Sequence, residues 1–468
     1  MNKIFTCIFL FFFLGCWQIS KMPDFAGFWE GPHPEESNKK FYILINYQND
    51  SLFAKGFWTE NHFYLSEFAV EKTKSKNDSI QFFVPGWNCT YRGKLLENNN
   101  IEGGFYCEGE PFDKVILKKD NTAAQFLSDA KPGFQKPGFQ YKYNPPALLN
   151  EGIETALTLS KTDSLFIYSL VPEIINGVYG KLNSFLLYKN NRLICEEYFY
   201  GYAANNLHPI ESVTKSITSL LVGIAHDKNL ITELDEPLFK IFPEFVHLKS
   251  GDYQKITIHH LLSMTSGFEP QNDELFASEN RIEFALKRPI KTKPGTTFIY
   301  DGGNTEILGA ILQRKTGMLA DEFAKKYLFS PLKIENFDWE TNKQNGFPSM
   351  AGALNLLPRD MIKIGGLVLN KGVFNKNQII SKQWIDESTS VKIKTHIPDD
   401  DYAYQWWNIK INSGNAEYSA IWANGWGSQF IYIFPELNVV IVTTGHNYEN
   451  DSWAITSGIA KYLYLLSD

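Results

Sequence analysis

The sequence predicts an α+β protein in which a small all-β domain precedes a larger α/β sandwich of one antiparallel sheet and a helical region. Three observations lead to this prediction. Short alternating apolar runs fill the first quarter of the chain, a segment rich in proline and glycine follows, and helical and strand patterns then mix to the end. Strands that come from both ends of a domain, with helices between them, are typical of a sheet bordered by helices.

The first residues, 1–20, have the layout of a secretory signal. One lysine precedes an apolar stretch from Ile4 to Leu14, and a Leu-Gly-Cys sequence ends at Cys16. The stretch is too short for a membrane-spanning helix, which takes about 20 apolar residues. We therefore expect an exported protein, in the bacterial cell envelope or secreted. Leu-Gly-Cys also resembles a bacterial lipobox, so Cys16 is a candidate for a lipid anchor to the membrane.

The segment 25–120 is predicted to be the small all-β domain. Turn residues separate its alternating runs, such as those at 41–47, 79–84, 90–96 and 114–119. The opening FAGFWEG resembles the first strand of small lipocalin-like barrels. Phe28 and Trp29 in it are more simply interpreted as core or rim aromatics.

Export makes the cysteines of the mature chain interpretable, because disulfides persist in oxidising compartments. Cys89 and Cys107 flank the turn-rich ENNN of residues 97–100. A hairpin centred on Asn98 would place the two cysteines opposite each other. We predict a cross-strand disulfide between them, and a free, buried thiol at Cys195.

Residues 121–150 are predicted to be a linker, since they contain the tandem KPGFQKPGFQ and no sustained apolar periodicity. The larger domain then spans 151–468. Its sheet is expected to take strands from one hairpin turning at Asn190-Asn191 and another turning near Pro435-Glu436.

Length and charge exclude some classes of protein. The chain has 468 residues, enough for two domains with well-buried cores. Its formal net charge is −7 and it has no long basic run, so it lacks the positive footprint that a nucleic-acid backbone would require. No nucleic-acid partner is expected.

The stretch ESVTKSITSLLVGIA, residues 211–225, contains a serine three positions before a lysine. Its apolar residues have the spacing of an amphipathic helix, which places Ser212 in or near the first turn. Residues at i and i+3 have Cβ atoms about 5–6 Å apart, so Lys215 can reach the Ser212 hydroxyl. The helix dipole favours an alkoxide at Ser212 and, with burial, the neutral amine at Lys215. A serine at a helix start is more often only an N-cap, and the motif alone leaves both interpretations open.

Six blocks in order carry a more specific signal. The part from about Ser184 to Val442 resembles the β-lactamase-related serine hydrolases, which include class C β-lactamases, D,D-peptidases, family VIII carboxylesterases and nylon-oligomer hydrolases. The blocks are YKNNRLICEEYFYGY with ESVTKSITSLLVGIA, ITIHHLLSMTSGF, KPGTTFIYDGGNTEILGAIL, LLPRDMIKIGGLVLNKG, YAYQWW and ANGWGSQFIYIFPELNVVIV. The resemblance implies a β-lactamase/transpeptidase-like fold for the larger domain.

The resemblance also implies roles for individual residues. Ser212 would be the nucleophile and Lys215 its base. Tyr300 corresponds to the family's motif tyrosine, whose phenol would relay a proton to the leaving group. Many relatives have Tyr-x-Asn, whereas glycine takes the third place here, as in the Tyr-Ser-Ser-Gly variant of the esterase and nylon-oligomer branches. Asn304 is therefore only a possible substrate contact.

The third motif of the family departs further from the pattern. Ala423-Asn424-Gly425 stands where lactamases and peptidases have Lys-Thr-Gly or His-x-Gly, so the cation that would pair with a substrate carboxylate is missing. By the same resemblance, the backbone N–H groups of Ser212 and Trp426 would stabilise the oxyanion, with Gly425 at the strand edge along which substrate lies. Asn424 and His446 are further possible substrate contacts.

Other polar residues give weaker signals. His259 and His260 are adjacent and point about 100° apart on a helix, so they cannot chelate one metal ion. Asp400 and Asp401, in an IPDDD run, are interpreted as a solvated loop and not as a glycosidase pair. No metal site and no cofactor are predicted.

The function implied is that of an exported serine hydrolase that forms an acyl-enzyme with an ester or amide, either a small molecule or a peptide. A D-amino-acid-specific peptidase and a β-lactamase or D,D-peptidase are alternatives within the same chemistry. The alternative from another class is a non-catalytic envelope protein whose β-domain binds a ligand. The sequence leaves the oligomeric state open.

Overall fold

The computed structural model describes residues 25–32, 40–48, 51–59, 65–119, 130–131, 138–248, 251–342, 346–448 and 452–467. The predicted signal 1–20, with Cys16, lies outside these residues. The chain divides into two units, Met1–Ala124 and Gln125–Asp468. The described parts of the predicted linker, 130–131 and 138–150, contain no helix or strand and belong to the second unit.

The first unit is an antiparallel sheet in which neighbouring strands follow one another along the chain, except that β1 lies beside β9. Its strand order is β4-β3-β2-β1-β9-β8-β7-β6-β5. Trp29 lies in its apolar core and Phe28 is buried, as the simpler interpretation of these aromatics predicted. The strands are β1 Gly27–Pro32, β2 Lys40–Gln48, β3 Ser51–Thr59, β4 Leu65–Phe68, β5 Glu71–Lys76, β6 Ser79–Val84, β7 Cys89–Leu95, β8 Asn100–Cys107 and β9 Glu110–Lys119.

The predicted hairpin and its disulfide are confirmed. β7 and β8 pair with Cys89 directly opposite Cys107, and the two sulfur atoms are bonded. Asn99, in the turn, has a φ of 59°, a left-handed conformation that asparagine tolerates better than most residues. Cys195 is free and buried, also as predicted.

The second unit is organised around one large sheet with the order β10-β12-β11-β23-β22-β21-β20-β19-β18. The pair β10 and β12 is parallel and the other pairs are antiparallel. The strands of this unit are β10 Glu154–Thr155, β11 Leu182–Lys189, β12 Arg192–Tyr198, β13 His208–Pro209, β14 Phe337–Trp339, β15 Leu354–Leu356, β16 Val373–Phe374, β17 Asn377–Gln378, β18 Ile393–Lys394, β19 Asp400–Tyr402, β20 Trp407–Ser413, β21 Ala416–Gly425, β22 Gln429–Phe434 and β23 Val439–Gly445.

Helices cover both faces of this sheet. Every residue of β22 and β23 is buried, because alternate side chains enter two different cores. One core contains α2 and α9 and the other contains α1 and α11. The helices are α1 Lys161–Ile175, α2 Val213–Asp227, α3 Leu238–Ile241, α4 Ile258–Leu262, α5 Asn272–Ala277, α6 Arg281–Lys287, α7 Gly302–Thr316, α8 Ala320–Ala324, α9 Pro358–Leu369, α10 Lys382–Thr389 and α11 Ala454–Tyr462.

Turns and short helices complete the second unit. Asn190 and Asn191 have φ values of 50° and 62° between β11 and β12, which confirms the first predicted hairpin turn. The second turn, between β22 and β23, is the 3₁₀ turn Pro435–Leu437. Other short helices are Pro85–Trp87 in the first unit and Pro243–Leu248, Tyr253–Lys255, Lys325–Phe329 and Leu463–Leu466 in the second. Of the helices in the described ranges, none has the length and apolar character to cross a bilayer.

The acidic run near residue 400 differs from the prediction. Asp400 is not in a solvated loop but begins β19 and is buried, while Asp401 forms an ion pair with Lys394 at 2.5 Å. The prediction is wrong because burial of Asp400 depends on the pairing of β19 with its neighbouring strands. Three consecutive aspartates in a sequence do not indicate that pairing. Burial first, and then the charges of Asp399 and Asp401, raise the pKa of Asp400 to about 7.

This pKa predicts a pH-dependent cost to stability. A carboxyl whose pKa is higher in the folded than in the unfolded state costs no stability below its unfolded pKa, and stability is then lost progressively as the pH rises from about 4 to about 7. Asp400→Asn should therefore be more stable than the parent by about 1–2 kcal/mol at pH 8, with a smaller difference at pH 5. Denaturant unfolding at both pH values measures this. The control is Glu436→Gln, at an exposed acid in the turn between β22 and β23, and an equal gain at pH 5 and pH 8 in Asp400→Asn would contradict the prediction.

Candidate active site

Ser212 lies in a tight turn between β13 and the first residue of α2. Its φ and ψ are −66° and −5°, and its side chain is half-buried. Backbone hydrogen bonds from Val213 N to Ile210 O, 3.1 Å, and from Thr214 N to Glu211 O, 3.0 Å, close the turn. The residue before the serine, Glu211, has a φ of 49°. The hydroxyl is thus presented at the positive end of a fifteen-residue helix.

Lys215, one turn along α2, has its amine directed at this hydroxyl. The Lys215 Nζ lies 2.8 Å from Ser212 Oγ and 2.5 Å from the carbonyl oxygen of Ala351, and the residue is only 5% exposed. The predicted i, i+3 contact between serine and lysine is therefore present, and the amine is enclosed by protein. A buried amine beside a hydroxyl can exchange a proton with it when the amine is neutral.

The aromatic ring of Tyr300 lies beside the Lys215 amine. The Lys215 amine lies 5.2 Å from the centroid of the Tyr300 ring, which in turn packs 5.5 Å from the ring of Trp407. The start of α7 fixes the tyrosine from the other side, because the Asp301 carboxylate accepts a hydrogen bond from Gly303 N and forms a buried ion pair with Arg288. The structure thus brings Tyr300 to Lys215, with its ring face and not its hydroxyl as the contact.

Gly425, the last residue of β21, brings the third motif to the serine. A Cβ atom on Gly425 would lie 2.4 Å from the Ile210 carbonyl oxygen and 3.1 Å from the Glu211 Cβ, so only glycine lets the strand pass this close to the turn that carries Ser212. Trp426 follows directly and is 62% exposed. The strand edge and the turn that carries Ser212 therefore form two sides of one site.

Comparison with known proteins decides the family. The family model described as Beta-lactamase matches residues 178–453, more than half of the chain. The chain belongs to the β-lactamase family. It is accordingly a serine hydrolase, and its predicted fold class, a β-lactamase-like sandwich after a separate antiparallel sheet, is confirmed.

Individual relatives agree with this assignment. The 6-aminohexanoate-dimer hydrolase of Paenarthrobacter ureafaciens is 25% identical over 288 residues, which cover 56% of this chain and 71% of that protein. Among solved structures, EstCE1, a hydrolase with promiscuous acyltransferase activity, has a TM-score of 0.55 at 13% identity over 65% of this chain and 99% of its own. A D-stereospecific amidohydrolase from Streptomyces sp. has a TM-score of 0.51 at 15% identity over 63% of this chain and 97% of its own. At these identities the two structures support the fold alone.

The three possible substrate contacts have different positions within this β-lactamase fold. Asn304 is buried in α7, where its side-chain carbonyl accepts from Ser266 Oγ at 2.7 Å and its amide lies 3.4 Å from the sulfur of Met264. These contacts hold the Asn304 side chain against the segment 264–266 and do not direct it at Ser212. Asn424 is half-buried in β21, opposite Phe430.

His446 follows β23 directly and belongs to a cluster of rings. Its Nε2 lies 3.3 Å from the Tyr202 hydroxyl, and its ring centroid lies 5.5 Å from that of His208 and 6.1 Å from that of Tyr448. Tyr448 in turn touches both Trp426 and Glu211. His446 is therefore separated by the Tyr448 ring from Trp426 and from Glu211, the residue before Ser212.

The prediction missed Glu306, a fully buried carboxylate of α7. Its Oε1 accepts hydrogen bonds from Ala351 N at 3.1 Å and from Ser349 Oγ at 3.3 Å. Burial raises the pKa of Glu306, although Ala351 N, Arg281 and Lys215 act in the opposite direction. The carbonyl oxygen of Ala351 accepts a hydrogen bond from the Lys215 amine, and the backbone N–H of the same residue donates to Glu306. Glu306 therefore fixes the segment that positions Lys215. The available signal was one acid directly before the apolar run ILGAIL.

The adjacent histidines have separate partners. His259 Nδ1 lies 2.6 Å from the Tyr404 hydroxyl, whereas His260 Nδ1 lies 3.2 Å from the backbone N–H of Thr257 and helps to cap α4. Within the described ranges, no three histidine, cysteine or acidic side chains are grouped so that they could hold a metal ion.

Proposed function

We propose that this chain hydrolyses an ester or amide through an acyl-enzyme formed on Ser212. The observation that carries the proposal is the 2.8 Å contact between the Ser212 hydroxyl and the enclosed Lys215 amine. In the first step Ser212 Oγ bonds to the acyl carbon while its proton passes to the neutral Lys215 amine. The carbonyl π electrons move to oxygen, which gives a tetrahedral oxyanion.

The oxyanion needs donors that are already in place. The backbone N–H of Ser212, at the start of α2, supplies one, and the N–H of Trp426, just past the end of β21, supplies the other. The close approach of Gly425 to the Ile210 carbonyl supports this assignment, because it brings the strand edge beside the serine's own turn.

The remaining steps use Lys215, with the Tyr300 ring beside it. As the oxyanion collapses, the bond to the leaving group breaks and the leaving group takes the proton from Lys215, whose protonated amine is stabilised by the Tyr300 ring face. A water molecule then attacks the acyl carbon and gives a proton to Lys215; collapse of this second intermediate releases the acid, and Ser212 Oγ takes the proton back from Lys215. These steps need no metal or redox cofactor, because every proton moves between side chains and substrate.

The substrate is proposed to be a simple ester or amide and not a β-lactam or a D,D-peptide. The segment Ala423-Asn424-Gly425 contains no cation for the carboxylate that those substrates carry. The relative from Paenarthrobacter ureafaciens, named for hydrolysis of the 6-aminohexanoate dimer, also favours this choice. A panel of esters, amides, β-lactams and D- and L-peptides separates these substrates, including the D-amino-acid-specific alternative.

Export is part of the proposal. Residues 1–20 have the charge and apolar layout of a secretory signal, and Cys16 ends a Leu-Gly-Cys sequence. Expression of the full chain in a bacterium, followed by mass analysis of its mature N-terminus, tests this. Cleavage before Cys16 with added lipid mass indicates a lipoprotein, cleavage without lipid indicates a free exported protein, and an intact Met1 contradicts export.

Covalent labelling tests the chemistry. A fluorophosphonate should add one probe mass to the protein, and peptide mapping should place the adduct on Ser212. The Ser212→Ala variant should take no label. A folded protein that takes no label and turns over no member of the substrate panel would instead support the rival function, an inert scaffold whose β-domain binds a ligand.

Glu306 gives a prediction within this mechanism. Glu306→Ala removes the acceptor that fixes Ala351, so we expect kcat to fall about 10- to 100-fold with little change in KM, as for a misplaced base. Glu306→Gln keeps an oxygen acceptor and should recover most of the activity. Steady-state kinetics measures this, with thermal unfolding to confirm that both variants fold. Equal loss in the alanine and glutamine variants would contradict a positioning role based on this hydrogen bond.

A further inference from the structure

Glu211 has a conformation that a glutamate rarely adopts. Its φ of 49° lies in the left-handed region, which costs a residue with a side chain about 1 kcal/mol or more. A Cβ atom on Gly425 would lie 3.1 Å from the Glu211 Cβ, so Glu211 lies beside the end of the strand that leads to Trp426. A strained acid therefore lies directly before the proposed nucleophile, next to the strand edge proposed for the substrate.

The Glu211 carboxylate is half-buried without a direct ion pair in the described part of the chain. Its hydrogen bond comes from the Tyr448 hydroxyl, 3.3 Å from Oε1. The charge that acts on it is that of Lys215, but that amine donates to Ser212 Oγ and Ala351 O. The carboxylate therefore retains acceptor capacity for a further donor.

Tyr448 links this carboxylate to a second aromatic ring. The Tyr448 and Trp426 rings are nearly perpendicular, with centroids 5.0 Å apart, and Tyr448 is buried whereas Trp426 is 62% exposed. Gly427, the next residue, has room for no side chain, because a Cβ there would lie 2.8 Å from the Tyr448 ring. Glu211, Tyr448 and Trp426 thus form a continuous surface, which we call the acid–aromatic surface.

We propose that the acid–aromatic surface binds an ammonium group on the substrate of Ser212. The Glu211 carboxylate supplies the counter-charge and a hydrogen-bond acceptor, and the exposed Trp426 ring attracts the same cation through its π electrons. An anionic group would be repelled by Glu211, and a purely apolar group would leave its carboxylate unpaired. This inference rests on the proposed acyl-enzyme function and adds the charge of the preferred substrate.

The pH dependence of binding follows from the groups that face Glu211. Burial raises the pKa of its carboxyl, while the Tyr448 hydroxyl and the Lys215 charge act in the opposite direction. The ionised form is the one that pairs with an ammonium group. Any preference for cationic substrates should therefore weaken as the pH falls through this pKa, since an alkylammonium stays charged throughout.

The test compares pairs of esters that differ only in charge. In one arm, 4-nitrophenyl esters of ω-amino acids with four to eight carbons are paired with esters in which a methyl group replaces the ammonium. In the other arm, acetylcholine is paired with 3,3-dimethylbutyl acetate. We expect kcat/KM to favour the cationic member at least about 10-fold in one arm. A preference in the first arm would place the ammonium group on the acyl part of the substrate, and a preference in the second arm would place it on the alcohol part.

The variants assign that preference to the surface. Glu211→Gln keeps size and backbone strain but removes the charge, so the cationic-to-neutral ratio should fall close to one. Trp426→Leu, at an exposed side chain, should lower the ratio several-fold. Glu436→Gln, at an exposed acid in the turn between β22 and β23, is the matched control and should leave the ratio unchanged.

The outcomes separate this inference from the proposed function. If the wild-type protein hydrolyses the neutral esters through Ser212 but shows a ratio near one in both arms, the ammonium site is wrong and the acyl-enzyme function stands. A strong preference that survives Glu211→Gln also overturns the site. If the protein hydrolyses none of these esters and no probe labels Ser212, both the proposed function and the ammonium site are wrong.

Discussion

Replacement of Ser212 with alanine should lower kcat for any acyl ester by about 10⁴-fold or more, the scale seen when a serine nucleophile is removed. The physical reason is that no other described hydroxyl lies within hydrogen-bonding distance of the Lys215 amine. The fold should be unaffected, since the Ser212 side chain does not cap α2. Steady-state kinetics on the best ester of the panel, together with thermal unfolding, measures both expectations.

Ser216 provides the matched control for this experiment. It lies one turn further along α2 and donates to the carbonyl oxygen of Gln405 at 2.6 Å. Ser216→Ala should cost about 1 kcal/mol of stability through the lost hydrogen bond but keep most of the turnover. Activity that persists in Ser212→Ala, or an equal loss in Ser216→Ala, would show that the proposed nucleophile is wrong.

Removal of the Lys215 amine should have the second largest effect. Lys215→Met keeps the length of the side chain but has no base, so we expect kcat to fall about 10²- to 10⁴-fold, the usual contribution of a positioned proton acceptor. Stability should be kept or improved, because the variant no longer buries an amine in a site that is 5% exposed. Burst kinetics with a chromogenic ester would locate the loss in acyl-enzyme formation.

Lys215→Arg separates proton transfer from electrostatics. Arginine keeps the positive charge beside Ser212, but it does not lose its proton in proteins and cannot act as a base. The arginine variant should therefore be about as impaired as the methionine variant. Lys228→Met, at the exposed end of the same helix, is the control. Near-normal activity in Lys215→Arg would mean that Lys215 acts only through its charge.

Several features could be predicted from the sequence because their signals are local. Each predicted hairpin depends on a turn and on side chains that alternate between the two faces of a strand. This applies to the hairpins that turn at Asn190-Asn191 and at Pro435-Glu436, and to the one that places Cys89 opposite Cys107. The pairing of Ser212 with Lys215 depends on a helical period, which fixes their separation. Covalent geometry and backbone hydrogen bonds decide such features within a few residues.

Other features of the site were not predictable because they depend on residues distant in the chain. Glu306 acts through Ala351, 45 positions away, and Glu211 meets Tyr448, 237 positions away. The sequence predicts Asp400 in a solvated loop, whereas pairing of β19 with β20 buries it. Neither composition nor periodicity contains information on which segment will pack beside a given carboxyl.

The sequence by itself indicated the two-part α+β organisation, because apolar periodicity is set along the chain, and its six family-like blocks implied the candidate nucleophile and its lysine. Only the tertiary structure decided what surrounds that pair: the Ala351 carbonyl that shares the amine, the ring face of Tyr300 and the glycine strand pressed against Ile210. The physical reason is that proton transfer and charge recognition depend on burial and on distances of a few ångströms, which close packing of remote segments creates.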